Sequence, residues 1–317
     1  MRSMALLLLT GPSGFVGSHT SPLLIEGGHD VRALVRDEAA HGRVAGRLTR
    51  EQAARVTFAT GDITRSATLP AALEGIDAVI HLVAIPRDRS NGAELLRVNT
   101  RGTIDLLAAM HAAGVDRVIN LGAMGVADDP NLHFSRSKAL AEAAVRTSGM
   151  RWTNLKPSLL WGERDGFFNI VASLVRMAPG VVPIPGGRRT RYQPLFVGDL
   201  ARVVSACVER DDTIGRDFDL GGPEFWTYRE IVEEVIRAMG SRRLILPLPV
   251  PLIKLVARSA EALHLPFPVA SDQLRQLAFD NAAGLDDVER EFGFRPQSMR
   301  GQLGYLRRRR ARQEASL

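Results

Sequence analysis

Ala5–Gly17, ALLLLTGPSGFVG, is an apolar run that breaks into three glycines, Gly11, Gly14 and Gly17. Five apolar residues in a row suit a strand buried on both faces. Glycines at this spacing allow a tight turn whose backbone approaches a pyrophosphate closely. The next helix adds its free N–H groups and positive dipole end, near Ser13, Gly14, Phe15 and Val16. Phe15 to Glu26 reads as that helix, stopped by Gly27-Gly28, and Asp30 to Val35 reads as a second strand at the distance a strand–helix–strand unit requires. The opening therefore predicts a dinucleotide site.

Working outward, apolar runs alternate with helix-length segments. Val56 to Ala59, Asp77 to Val83 with AVIHLV, and Val118 to Leu121 read as strands, separated by Leu69 to Leu73 and by one long helix from Ala93 to Ala113 that Gly114 closes. Repeated strand, helix and strand demand right-handed crossovers, so the expected class is α/β, a Rossmann doubly wound parallel sheet covered on both faces. Ligands bind at the strand C-termini of such a sheet, beside the loops carrying the glycines, Arg36, Asp62-Ile63 and Ala84.

The residue after the second strand discriminates between nicotinamide cofactors. An acid there accepts hydrogen bonds from the ribose diol of NAD, whereas arginine matches the 2′-phosphate of NADP. The strand ends Leu34-Val35-Arg36-Asp37, with Arg32 earlier on the face assigned to Arg36, which favours NADP; an inward Asp37 reverses the preference to NAD. Asp62 is placed to reach the adenine amino group, or else to cap a turn.

The chain has 317 residues, 45% hydrophobic and 24% charged, room for about two domains of ~150 residues. Net charge is +6, and almost all the base is arginine, since only Lys138, Lys156 and Lys254 are lysines. Arg307–Arg310 with Arg312 form a basic tail, but no aromatic interleaving or recognition helix accompanies it, so no specific nucleic-acid partner is expected. Ala5 to Leu9 is too short for a secretory core, which predicts a cytoplasmic protein. A single cysteine, Cys207, excludes an intrachain disulfide and a multi-cysteine zinc site, and the seven histidines lack ligand spacing, so no metal is expected.

TGPSGFVG, GDI, AVIHLVA, VNTRGTIDLL around Asn99, SKALAE and QPLFVGDLA together resemble the extended short-chain dehydrogenase/reductases over nearly the whole chain. Ser135 to Asn169, LGGPEFWTYREI and LPLPVPLIKLVA are most similar to an atypical branch. That branch includes the Rossmann-type accessory subunit of respiratory complex I and its free-standing bacterial relatives. The resemblance implies an NAD(P)-binding domain over 1–156, with 190–222 returning to it, a smaller C-terminal α/β substrate domain from 157–189 and 223–305, and the tail 306–317.

That superfamily's chemistry uses a tyrosine and a lysine one helical turn apart and a serine or threonine from the loop after a preceding strand. Residues four apart share a helix face, so the ammonium depresses the phenol pKa and holds the nicotinamide ribose while the phenol moves a proton. Here the helix reads Phe134-Ser-Arg-Ser-Lys138, and Val118 to Val126 contains no hydroxyl side chain. The lysine is kept and the other two groups are missing. Lys138 retains the ribose as its expected ligand. By resemblance Asn99 supports that lysine, or else is a polar residue on a half-exposed helix, and Pro157 and Ser158 line the carboxamide loop. Lys156 reaches either a cofactor phosphate or solvent. His133 and Tyr192, with Tyr228, are the remaining proton-donor candidates.

The second half carries a helix from Asp199 to Glu209 behind an acidic cap, a strand Phe218 to Leu220, and a helix from Thr227 to Met239 with Glu230 completing a capping box. Leu252 to Leu265 reads as an amphipathic stretch, either a lid or a peripheral membrane contact at the inner face. Two functions follow. One is an NADP(H)-dependent oxidoreductase for a small apolar or quinone-like substrate, and the other is an inactive NADP(H)-binding accessory or assembly protein. Nucleotide-sugar chemistry wants the missing acid–base pair, although Arg188, Arg189 and Arg191 would suit a phosphate-bearing substrate.

Overall fold

The computed structural model describes residues 4–87, 90–185, 190–249 and 281–307. Two compact units divide the chain: Met1–Pro157 with Val197–Leu220, and Ser158–Phe196 with Gly221–Leu317. The returning segment is thus shorter than the expected 190–222. Residues 191–192 and 195–196 pair instead with Trp226–Thr227 and Leu160–Trp161 of the second unit. Arg188, Arg189, the stretch 252–265 and the tail beyond Arg307 lie outside the described residues.

The first unit is built on β1 (Leu6–Thr10), α1 (Phe15–Glu26), β2 (Asp30–Val35), α2 (Glu38–Ala45), α3 (Arg50–Ala53), β3 (Val56–Thr60), α4 (Pro70–Leu73), β4 (Ala78–His81), α5 (Ala93–Leu95), α6 (Gly102–Ala113), β5 (Arg117–Leu121), α7 (His133–Arg146) and β6 (Arg151–Pro157). Helix Val197–Glu209 and strand Arg216–Leu220 complete it. All seven strands are parallel, in the order β3-β2-β1-β4-β5-β6 and then Arg216–Leu220. Strand order reverses beside β1, which opens a crevice at the C-terminal ends of β1 and β4. Leu7, Leu8 and Leu9 are completely buried, as a strand covered on both faces requires.

Local chemistry moves several boundaries away from the sequence reading. β4 stops at His81 because the Thr10 hydroxyl takes the Leu82 N–H, at 3.2 Å, before the ladder reaches it. The long helix expected over Ala93–Ala113 is interrupted by a wide turn at Leu96–Arg101, a π-type bulge in which the Gly102 N–H reaches back to the Arg97 carbonyl. Gly114 then closes α6 in the left-handed region at φ 72°. Asp199 is not a cap: helix Val197–Glu209 starts two residues earlier and buries Asp199 in its first turn.

Arg117 anchors the end of the sheet opposite the crevice. Its buried guanidinium donates to the carbonyls of Arg151 (2.8 Å) and Cys207 (2.7 Å) and to the hydroxyls of Thr153 (2.8 Å) and Thr213 (3.1 Å). This ties β5, β6 and the returning segment together. Cys207 is buried beside it, and burial pushes its thiol up to about 12, so it is an inert packing residue.

In the second unit, helices Phe167–Met177 and Tyr228–Ala238 enclose a core of Trp161, Phe168, Tyr192, Trp226, Val235 and Leu303. Thr227 and Glu230 form the expected capping box. Asp165 caps the first of these helices by accepting the Phe168 N–H at 2.6 Å, and Tyr305 donates to its other oxygen at 2.6 Å. No helix among the described residues is long and apolar enough to cross a membrane.

Candidate cofactor site

Each glycine of the first loop answers a separate demand. Gly11 stands at φ +70°, where a side chain is strained, and a Cβ there would press against Leu82 and Val83 at 3.3 Å. At Gly17 a Cβ would meet the Gly11 carbonyl and, at 2.8 Å, Pro12 Cα, so only glycine lets α1 sit against the loop. Gly14 is the N-cap of α1 and supplies no side-chain cap. Ser18 turns its hydroxyl back to the Phe15 carbonyl. The first N–H groups of α1 are therefore left for a ligand, a cradle that fits a pyrophosphate. Arg47 donates to the Ser13 carbonyl at 3.0 Å and ties the loop to the chain after α2.

At the end of β2 the two candidates separate. Asp37 is the N-cap of α2 and accepts the Ala40 N–H at 2.7 Å, which occupies one of its oxygens. Arg36 is exposed beside it. Arg32 plays a different part, because its guanidinium donates to the Ala72 and Glu74 carbonyls at 3.1 and 2.6 Å. Asp62 closes an Asx turn, with one oxygen accepting both the N–H and the hydroxyl of Thr64 at 2.8 Å. Burial works to raise its pKa, but the Thr64 bonds and the charges of Arg36 and Arg65 outweigh it and hold the carboxyl below its ordinary value. Ile63 buries its side chain against Gly102 of α6, and Ala84 lies exposed after β4.

Helix α7 carries the altered chemistry. Its placement is set by a polar ladder across the sheet: Asn120 donates to Asn154 (2.9 Å), Asn154 to Asp217 (3.1 Å), and Arg146 of α7 to Asp217 (2.8 Å) and Glu142 (3.2 Å). Glu142 also accepts the Ala123 N–H at 3.0 Å and fills the space beside Gly122. Lys138 is buried, and its ammonium donates to the Leu121 carbonyl at the end of β5. Desolvation lowers the Lys138 pKa to about 8, against the opposing pull of Glu142. Phe134, one turn earlier, offers no proton.

Asn99 makes no direct hydrogen bond to this lysine, nor is it half-exposed. It is buried, accepting the Ile85 N–H at 2.9 Å and donating to the Ile85 carbonyl and Ser137 hydroxyl at 3.0 Å each. Both of its N–H donors are thereby spent. The asparagine clamps the loop after β4 to α7. Lys156 pairs with Asp219 at 3.1 Å, and Pro157 ends β6 with its carbonyl accepting the Met124 N–H at 3.1 Å.

The proton-donor candidates belong to different units, His133 to the first and Tyr192 and Tyr228 to the second. His133 opens α7 and packs against Gly92, whose Cβ position lies 2.7 Å from His133 Nδ1. Tyr192 is buried in the core of the second unit, paired with Trp226. Tyr228 is half-buried against the same core, and desolvation pushes its phenol up to about 12. Ser158 belongs to the second unit, where its hydroxyl donates to the Asn281 carbonyl at 2.8 Å and accepts the Gln193 N–H at 3.2 Å. One group escaped the sequence reading altogether: His81, buried inside AVIHLV, with Thr10 and Thr103 on its two ring nitrogens. Polar side chains within runs that are otherwise fully apolar were the available signal.

Comparison with known proteins points the same way. The sequence model of the NAD dependent epimerase/dehydratase family matches residues 7–221. The chain is 26% identical to NADH dehydrogenase [ubiquinone] 1 alpha subcomplex subunit 9 of Arabidopsis thaliana over 285 residues, 88% of this chain and 69% of the relative. It is 26% identical to a 3 beta-hydroxysteroid dehydrogenase/Delta 5-->4-isomerase of Mycobacterium tuberculosis, over 92% and 86% of the two chains. Among solved structures, gox2253 superimposes with a TM-score of 0.73 at 22% identity over 95% of this chain and 96% of its own. A dTDP-glucose 4,6-dehydratase of Streptomyces venezuelae, solved with NAD bound, follows at 0.67 and 22% identity over 92% of each chain.

Proposed function

Since the chain belongs to the NAD dependent epimerase/dehydratase family, whose members take a nicotinamide cofactor, we propose that it binds NADP(H) in preference to NAD(H) and reduces a small apolar or quinone-like molecule. The observation that carries this reading is Lys138. A buried ammonium bears a desolvation cost, and here its phenol partner is absent. Its retention makes sense if its N–H groups serve a ligand. The ribose hydroxyls of the cofactor are the matching acceptors, with one N–H remaining on the Leu121 carbonyl.

The other residues follow the same division of labour. Backbone N–H groups of Phe15 and Val16 hold the pyrophosphate, the Gly14 N–H being spent on the Gly11 carbonyl at 3.1 Å, Asp62 takes the adenine amino group, and Arg36 takes the 2′-phosphate while Asp37 stays on α2. When bound, the cofactor supplies a hydride at its nicotinamide ring. Phe134 supplies no proton, so the substrate must take its proton elsewhere or need none during the transfer.

A second reading rests on a separate observation. Phe134 and the hydroxyl-free loop Gly122–Val126 remove two of three catalytic groups, as suits an NADP(H)-binding accessory or assembly protein. One relative carries the name of a respiratory-complex subunit. Calorimetric titration with NADPH and NADH, followed by a quinone and carbonyl panel, separates the two. Arg36→Gln is expected to weaken NADPH by about tenfold, the scale of a charge-assisted hydrogen bond, and to spare NADH. Equal losses refute the NADP preference. Turnover on the panel supports the oxidoreductase, and Phe134→Tyr should then raise it. Tight binding with no turnover favours the accessory protein.

A further inference from the structure

His81 sits at the end of β4 with one ring nitrogen 2.8 Å from Thr10 Oγ1 and the other 3.0 Å from Thr103 Oγ1. The proton on that ring can be assigned by elimination. Thr103 donates its only hydroxyl hydrogen to the Asn99 carbonyl at 2.7 Å, which is solely an acceptor. Thr103 Oγ1 can then only accept from the ring, so His81 Nε2 carries a hydrogen. In the neutral ring Nδ1 is an acceptor, and Thr10 donates to it while accepting the Leu82 N–H at 3.2 Å. The chain of bonds runs in one direction, from Leu82 N–H through Thr10, His81 and Thr103 to the Asn99 carbonyl. Thr10, His81, Thr103 and Asn99 are at most 2% exposed.

This chain ends on the π-type bulge, whose backbone is wider than an α-helix and needs a partner for its displaced carbonyls. Two residues of the bulge hold α7: Asn99 donates to Ser137 Oγ at 3.0 Å and Thr100 Oγ1 donates to the Ser137 carbonyl at 2.8 Å. Ser137 in turn donates to the Phe134 carbonyl at 2.8 Å. Lys138 is the next residue. At the other end, Thr10 precedes Gly11 of the pyrophosphate loop.

We propose that His81 is a positioning residue for the cofactor site: held as the Nε2–H tautomer between Thr10 and Thr103, it sets the bulge that carries Asn99 and thereby the Phe134–Lys138 turn of α7. The imidazole touches neither cofactor nor substrate. It joins the end of β1, where the glycine loop begins, to the helix that aims the lysine. The inference rests on the reading that Lys138 and the glycine loop hold the dinucleotide, but its geometry can be tested without any ligand.

The test uses Thr103→Val, which keeps the shape but removes both the Nε2–H acceptor and the donor to the Asn99 carbonyl, and Thr103→Ser, which restores the hydroxyl. Long-range proton–nitrogen spectra of the histidine rings, with His81→Gln to identify the resonance, are expected to show the Nε2–H tautomer in the parent and in Thr103→Ser. Thr103→Val should lose that signature and speed amide exchange at Ile85 and Lys138 by about tenfold, the scale set by one buried hydrogen bond, while Thr103→Ser exchanges like the parent. An Nδ1–H tautomer in the parent, or unchanged exchange in folded Thr103→Val, overturns the proposal. NADPH titration of the same proteins is read separately. No NADPH binding by the parent refutes the cofactor reading and leaves the tautomer and exchange results to decide on His81. A parent that binds, with Thr103→Val binding equally well, overturns the positioning role.

Discussion

Acidification should unload His81 in a way that can be measured against a variant. Burial first, and the Lys138 charge second, hold its imidazole at about 3, against an ordinary value of 6.5. The unfolded chain therefore takes up a proton below pH 6.5 that the folded chain refuses. Stability from the neutral ring is complete above 6.5 and is lost progressively as the pH falls from there towards about 3. Each unit of that window is worth about 1.4 kcal/mol, and the whole window about 5 kcal/mol. Other groups titrate in the same range, so the quantity to follow is the difference between the parent and His81→Gln, in which their contributions cancel. Urea unfolding of the first unit can be followed at Trp152 once Trp161 and Trp226 of the second unit are replaced by phenylalanine. The parent's advantage over His81→Gln should grow by about 1.4 kcal/mol per unit between about pH 4 and about pH 6, and level off above about pH 7. A difference that stays flat across that range would mean that the ring titrates normally in the native state, and the buried relay would have to be abandoned.

Other outcomes follow from single features. Lys138 ionises at about 8, so if only its charged form holds ribose, NADPH affinity should fall about tenfold from ~pH 7 to ~pH 9; Lys138→Arg should remove that fall, and a pH-independent affinity in the parent argues against the ribose role. Gly17→Ala drives a Cβ into the Gly11 carbonyl and Pro12, so thermal unfolding should show a loss of about 2 kcal/mol together with loss of NADPH binding, and an unshifted melting temperature contradicts the packing described. Burial raises Asp165 to about 6, against the lowering effect of the Tyr305 hydroxyl. The stability it contributes is complete below 3.8 and declines as the pH rises through about 6, a decline that Asp165→Asn should abolish when followed at Trp161 and Trp226.

Much of this architecture can be read from the chain alone. Phe15–Glu26 and Asp30–Val35 are legible to the residue because a strong local signal, a glycine loop before the helix and a glycine pair after it, coincides with the tertiary requirement. The capping box at Thr227 and Glu230 is equally local. What escapes depends on partners distant in sequence. Arg32 has the spacing of a cofactor ligand, but its guanidinium is drawn to carbonyls at the end of α4, forty residues on. Asn99 has the sequence context of a lysine partner and spends its amide on Ile85 and Ser137 instead. The bulge at Leu96–Arg101 has no Gly or Pro break before Gly102, and it is stabilised by side-chain bonds from Thr103 and to Ser137. Helical periodicity cannot register such an insertion, because it adds one residue to a turn without interrupting the apolar pattern.

The return of Val197–Leu220 to the first sheet has a consequence for how the protein is made. Two of the acceptors around Arg117, the Cys207 carbonyl and the Thr213 hydroxyl, belong to that segment. A nascent chain that has emerged only as far as Pro157 therefore holds a sheet without its seventh strand and a guanidinium with half its cage missing. Synthesis must deliver the intervening Ser158–Phe196, part of the second unit, before the first can close. The first unit therefore completes only after part of the second has been synthesised, and truncation at the end of β6 should yield an insoluble fragment rather than an independent cofactor-binding module.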